Sequence, residues 1–110
     1  MWANLKYRDV FYFKRNKFDG ESTSYIALVL NTSKQKKSIT ISIILEDNQI
    51  KNTYNHPETL SLGDLYMDTN IEFLKLIGAL KNQDVKHFKE YPIKKWINEV
   101  FSKEYPEYLV

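Results

Sequence analysis

The sequence predicts an α+β fold: an antiparallel four-stranded β-meander in the N-terminal half, with two to three C-terminal helices packed on one face. Three observations predict it. Apolar residues alternate with polar ones through much of the first half, the period of a half-buried strand. From Pro57 onward the period shifts toward that of a helix. Short clusters of Asn, Asp, Gly and Lys separate the alternating segments, and strands joined by such turns pair antiparallel.

The first strand covers about residues 5–15. Leu5, Tyr7, Phe11 and Phe13 fall on one side, and Lys6, Arg8, Val10, Tyr12 and Lys14 on the other. Asp9 interrupts the apolar side, which a bulge or an edge position would accommodate. Asp19-Gly20 supplies the reversal. Residues 23–30 are apolar on both faces, with Tyr25, Ala27 and Val29 opposing Ile26, Leu28 and Leu30, as in a central strand covered on both sides. After a polar turn from Asn31 to Lys37, residues 38–46 alternate most cleanly. Ile39, Ile41, Ile43 and Leu45 point inward, Ser38, Thr40, Ser42 and Glu46 outward, and Ile44 departs from the pattern. Asp47-Asn48 turns the chain into a weaker strand at 49–54, around Ile50 and Tyr54.

Residues 58–67 form a connector that accommodates one helical turn or a short strand at Leu60 and Leu62. Thr69-Asn70-Ile71-Glu72 has the spacing of a capping box, which predicts a helix over 70–80. Ile71, Phe73, Leu74, Leu76, Ile77 and Leu80 cover most of its circumference, so it should lie between the sheet and the last helix. Gly78 inside it calls for a close neighbour. Asp84 is placed to cap a short helix at 85–90. Tyr91-Pro92 starts the last helix, 92–103, whose Ile93, Trp96, Ile97, Val100 and Phe101 recur at helical spacing.

Composition excludes several classes. The chain has 110 residues, enough for one domain, and 43% of them are hydrophobic, enough for a core. It has no cysteine, hence no disulfide, thiolate nucleophile or cysteine zinc site. No apolar run approaches the ~18 residues of a membrane helix. Residues 1–8 carry no apolar leader, so a cytoplasmic location without a membrane partner is expected. With only 3 glycines and no Gly-rich loop, no cofactor is expected.

Net charge is +2, too small to imply a polyanion partner by itself. The basic residues gather early: residues 1–37 hold eight basic and three acidic side chains. There Tyr12, Lys14, Arg15 and Lys17 interleave aromatic and cationic groups, a pattern that suits stacking and phosphate contacts with single-stranded nucleic acid. The run lacks the glycines of the RNA-recognition signature. His56 and His87 could act as a general acid–base pair in a small ribonuclease, although nothing in their spacing brings them together. His56, Glu58 and Asp64 match no trusted ligand spacing, so no metal site is expected.

Around the connector, Glu58, Asp64, Asp68 and Glu72 surround Tyr66 and Met67. Carboxylates near a helix start cap it, but an acidic patch with an aromatic anchor also suits a basic protein partner. Trp2, Tyr105 and Tyr108 either dock on the body or await a partner. By elimination the expected function is binding. The leading expectation is a protein-binding module of inhibitor or immunity type, using Glu58, Asp64, Tyr66, Asp68, Tyr105 and Tyr108, with no catalytic role. Single-stranded nucleic-acid binding is the alternative and a two-histidine ribonuclease the third reading. A homodimer could form by edge pairing of residues 5–15 or 49–54.

Overall fold

A computed structural model describes residues 5–17, 19–67, 70–80 and 91–109. β1 (Asp9–Asn16), β2 (Ser22–Ser33) and β3 (Ser38–Glu46) pair antiparallel in succession. Gly20, at φ +82°, occupies the first reversal, where Asp19 Oδ1 accepts a hydrogen bond from the Glu21 N–H. Asp47 and Asn48 both have positive φ, as a two-residue hairpin that matches strand twist requires. The hairpin leads into β4, which is only Gln49–Ile50 rather than 49–54. β5 (Glu58–Ser61) then pairs with the other end of β3, Ser38 to Ile41. The connector thus holds both a strand and a short helix, α1 (Leu62–Met67).

The largest departure from expectation is the segment predicted as a buried helix over 70–80. It is a strand, β6 (Ile71–Ala79), paired antiparallel with β1. The strand order is β4-β3-β2-β1-β6, so β6 is an edge and β1 is interior. Two irregularities hide β6 in the sequence. Val10 pairs with Gly78 and Phe11 with Leu76, which leaves Ile77 as an inserted residue; Tyr12 pairs with Lys75 and Phe13 with Phe73, which leaves Leu74 as another. Each insertion flips the side-chain parity, so the two-residue alternation disappears and apolar residues seem to cover every side. Thr69, the proposed cap, and the predicted helix at 85–90 lie outside the described residues.

The sheet, not a helix, is the middle layer. One face carries Val10, Ile26, Leu28, Ile44, Leu45 and Ile77, packed against Ile93, Trp96, Ile97 and Phe101. The other carries Phe11, Phe13, Tyr25, Ala27, Val29, Ile39, Ile41 and Ile43, covered by Leu5, Leu60 and Leu65. Helical residues therefore sit on both faces, with α1 opposite the C-terminal helix, rather than on one face as expected. The division of β2 follows its alternation. In β3 the departure at Ile44 is a bulge: Ile26 pairs with Leu45 and Ala27 with Ile43. Beyond it Leu45 turns to the helix-covered face. Ser42, expected outside, is fully buried, and its hydroxyl meets Thr53 Oγ1 at 3.3 Å while Thr53 Oγ1 also accepts from the Ile43 N–H.

The strand start at Asp9 is set by a tight turn rather than by a bulge. Arg8 has φ +75°, Asp9 N–H donates to Lys6 O, and the Asp9 carboxylate accepts from Lys6 N–H. With partners on both sides, β1 has no free edge for pairing with a second copy, and β4 offers two residues only.

The C-terminal helix runs through α2 (Tyr91–Trp96), a π-helical stretch Ile97–Phe101 and α3 (Ser102–Glu104). In the π stretch Ser102 N–H reaches Ile97 O, five residues back. Ile93, Trp96, Ile97 and Phe101 are buried and Lys94, Lys95, Asn98 and Glu99 exposed, as the periodicity predicts. A 3₁₀ turn at Pro106–Tyr108 ends the run.

Candidate functional site

The residues singled out in the sequence fall on different surfaces. Parity along β1 sends Phe11, Phe13 and Arg15 to one face and Tyr12 and Lys14 to the other. Phe13 stacks between Phe11 (5.3 Å between centroids) and Tyr25 (5.0 Å). The Arg15 guanidinium lies 5.1 Å from the Tyr25 ring centre and 5.5 Å from that of Phe13, and it forms an ion pair with Glu58 of β5. β5 borders β3, so this pair reaches across β2 and β3 and ties two non-adjacent strands. One member of the proposed nucleic-acid set thereby neutralises one member of the proposed acidic patch.

The remaining members are dispersed. The Tyr12 hydroxyl donates to Ser24 Oγ at 3.0 Å, and its ring packs 5.2 Å from that of Tyr108. Lys14 pairs in register with Glu72, and Lys17 is exposed beside the first turn. Asp64 and Tyr66 belong to α1, while Asp68 lies outside the described residues. His56 is exposed, with its backbone N–H donating to Thr53 O; His87 and Trp2 lie outside the described residues. Among the described residues no three His, Cys, Asp or Glu side chains gather as metal ligands would. No described helix is long and apolar enough to cross a membrane.

The tail tyrosines are docked. Tyr105 donates its hydroxyl hydrogen bond to Ile77 O at 2.8 Å and packs against Phe101. Tyr108 packs on Tyr12 and Phe101, with Lys75 Nζ 5.8 Å from its ring centre. Of the two alternatives for these aromatics, the body takes them.

What the sequence reading missed is the outer side of β6. Leu74 is 38% and Leu76 44% exposed, although their neighbours Phe73 and Ile77 join the two cores. The insertions re-aim these side chains: Leu74 has no partner on β1, and Leu76 pairs with buried Phe11 yet stands in solvent. Glu72 and Lys75 are also exposed, but they pair with Lys14 and Tyr12 and so stand on the face opposite Leu76, which pairs with Phe11. No family model, curated protein or solved structure matches this chain. Among the described residues, this edge carries both leucines that stand exposed. The signal available in the sequence was the lone pair Leu74 and Leu76 around Lys75, which a helical reading placed inside.

The aromatic stack also sets a pH response. Burial first, and then the negative charge of Glu46, hold the Tyr25 phenol above its ordinary value of 10.0, with Arg15 pulling weakly the other way. A raised value means that the folded chain binds this proton more tightly than the unfolded chain does. The resulting stability is whole below the ordinary value and is lost as pH climbs through the folded one. Wild type is expected to weaken more steeply than Tyr25→Phe above pH 10 in alkaline unfolding. Parallel decline of the two proteins would contradict this.

Proposed function

We propose that the protein is a cytoplasmic protein-binding module, of inhibitor or immunity type, that covers its partner with the outward side of β6. The observation that carries this reading is the pair Leu74 and Leu76, aimed into solvent by two strand irregularities on an otherwise well-buried sheet. Fully burying a leucine is worth about 1.5–3 kcal/mol, so completing the burial of two half-exposed ones can anchor an interface. The fitting partner presents an apolar cleft.

The test compares wild type with Leu74→Glu, Leu76→Glu and Ile50→Glu, the last being a control on an exposed isoleucine at the opposite edge. Proteins captured from the native cell extract are purified and their affinities measured against each variant. The reading requires a partner whose affinity falls at least about tenfold with either leucine replaced and holds with Ile50→Glu. A partner indifferent to both leucines, or no saturable partner at all, overturns it.

A further inference from the structure

The sheet and the C-terminal helix do not meet along their whole length. Where β6 ends, Gly78 and Ala79 present almost no side chain, and the helix row Trp96, Val100 and Glu104 faces them across a cavity of about 370 Å³. Three local features create this space. The π stretch inserts a residue into the helix just beside the row. The inserted Ile77 kinks the strand. Gly78 lets the Tyr105 hydroxyl come close, since a Cβ there would stand 2.9 Å from Tyr105 Oη. Helix irregularities of this kind recur at functional sites.

Its floor is apolar and well buried, with Val10 1%, Ile77 8% and Trp96 8% exposed, while Ala79 and Glu104 at its mouth are exposed. An engineered apolar cavity of about 150 Å³ already binds benzene, so this one has room for a ring with a short side chain. Polar atoms make up nearly half of its lining. Glu104, at the rim, is exposed, is the one charged group in the lining, and has no ion-pair partner among the described residues. The Tyr105 hydroxyl has committed its hydrogen to Ile77 O, which leaves it an acceptor toward the cavity. An apolar floor beside a rim carboxylate and a second acceptor suits a ligand with an apolar body and a cationic donor head.

We propose that this cavity is a binding site for a small primary amine carried on an aromatic or branched apolar body. The ring lies against Val10, Ile77 and Trp96, and the ammonium group reaches Glu104. The site is independent of the β6 leucines, so it can stand or fall separately from the protein-binding reading.

The experiment titrates a Trp2→Phe variant, in which Trp96 is the remaining indole, with phenethylamine, phenethyl alcohol and hydrocinnamate, following Trp96 fluorescence. Phenethylamine should give a saturable change, with the equally sized anion binding at least about threefold more weakly, the range expected for a rim charge. Glu104→Gln should abolish the preference for amine over alcohol while leaving alcohol binding intact. Val100→Phe, which fills the space without adding an indole, should abolish binding of both. Amide shift mapping should place the changes at residues 77–79, 100 and 105. The proposal is overturned by no saturable change up to ~10 mM amine. It is equally overturned by an anion that binds as well as the cation, or by a preference for amine that survives Glu104→Gln.

Discussion

Phe13→Ala is expected to cost about 3–5 kcal/mol, read as a fall in melting temperature on the order of 15–25 °C. The ring is fully buried and lies between Phe11 and Tyr25, with the Arg15 guanidinium against it. Its removal leaves a cavity that neighbouring rings, themselves held by strand pairing, cannot fill. It also takes away half of the surface on which Arg15 rests, so the ion pair with Glu58 should weaken with it. Phe13→Leu keeps much of the volume and should recover most of the loss; equal damage from both variants would show that ring stacking, not volume, dominates the site.

Phe101→Ala should cost a similar amount on the other face, about 3–5 kcal/mol. Phe101 is fully buried and is the shared neighbour of Trp96, Tyr105 and Tyr108. Here the loss carries a local signature. The tail should undock, and the amides of residues 105–109 should lose hydrogen-exchange protection before those of β2. Because the two phenylalanines sit on opposite faces and share no ring partner, their effects should nearly add. The sum is comparable to the whole stability of a domain of this size, about 5–15 kcal/mol. The double variant is expected to be unfolded or nearly so at room temperature; a folded, cooperative double variant would show that the two cores compensate for each other.

The parts of the fold that could be read in the sequence are those in which periodicity runs unbroken. In β2, Tyr25, Ala27 and Val29 oppose Ile26, Leu28 and Leu30 as alternation requires, and in the last helix Ile93, Trp96, Ile97 and Phe101 are buried as helical spacing requires. Turns were equally legible at Asp19-Gly20 and Asp47-Asn48, where positive φ demands those residue types. Failure occurs at inserted residues in β3 and β6. Ile44 reverses the face of Leu45 relative to a regular strand, and Leu74 and Ile77 together turn a strand into an apparent helix. Inserted residues leave no compositional mark, because the chemistry of a bulge lies in its partner's register. For the same reason the candidate binding edge was invisible: Leu74 and Leu76 look buried under either regular period. Among the candidate residues, Arg15 and Glu58 were each noticed, but their union depends on β5 returning to β3, a long-range pairing that no local pattern encodes.

The same inserted residues bear on how the protein avoids fibrous assembly. Ile71 to Ile77 is the kind of short, weakly charged, strongly β-forming stretch that stacks into a dry zipper when six or seven consecutive residues lie flat. Register with β1 is kept for three residues, Ile71 to Phe73, then broken, kept for Lys75 and Leu76, and broken again. No flat run of β6 is long enough to template an identical neighbour, which disfavours seeding from the strand that ends the sheet among the described residues.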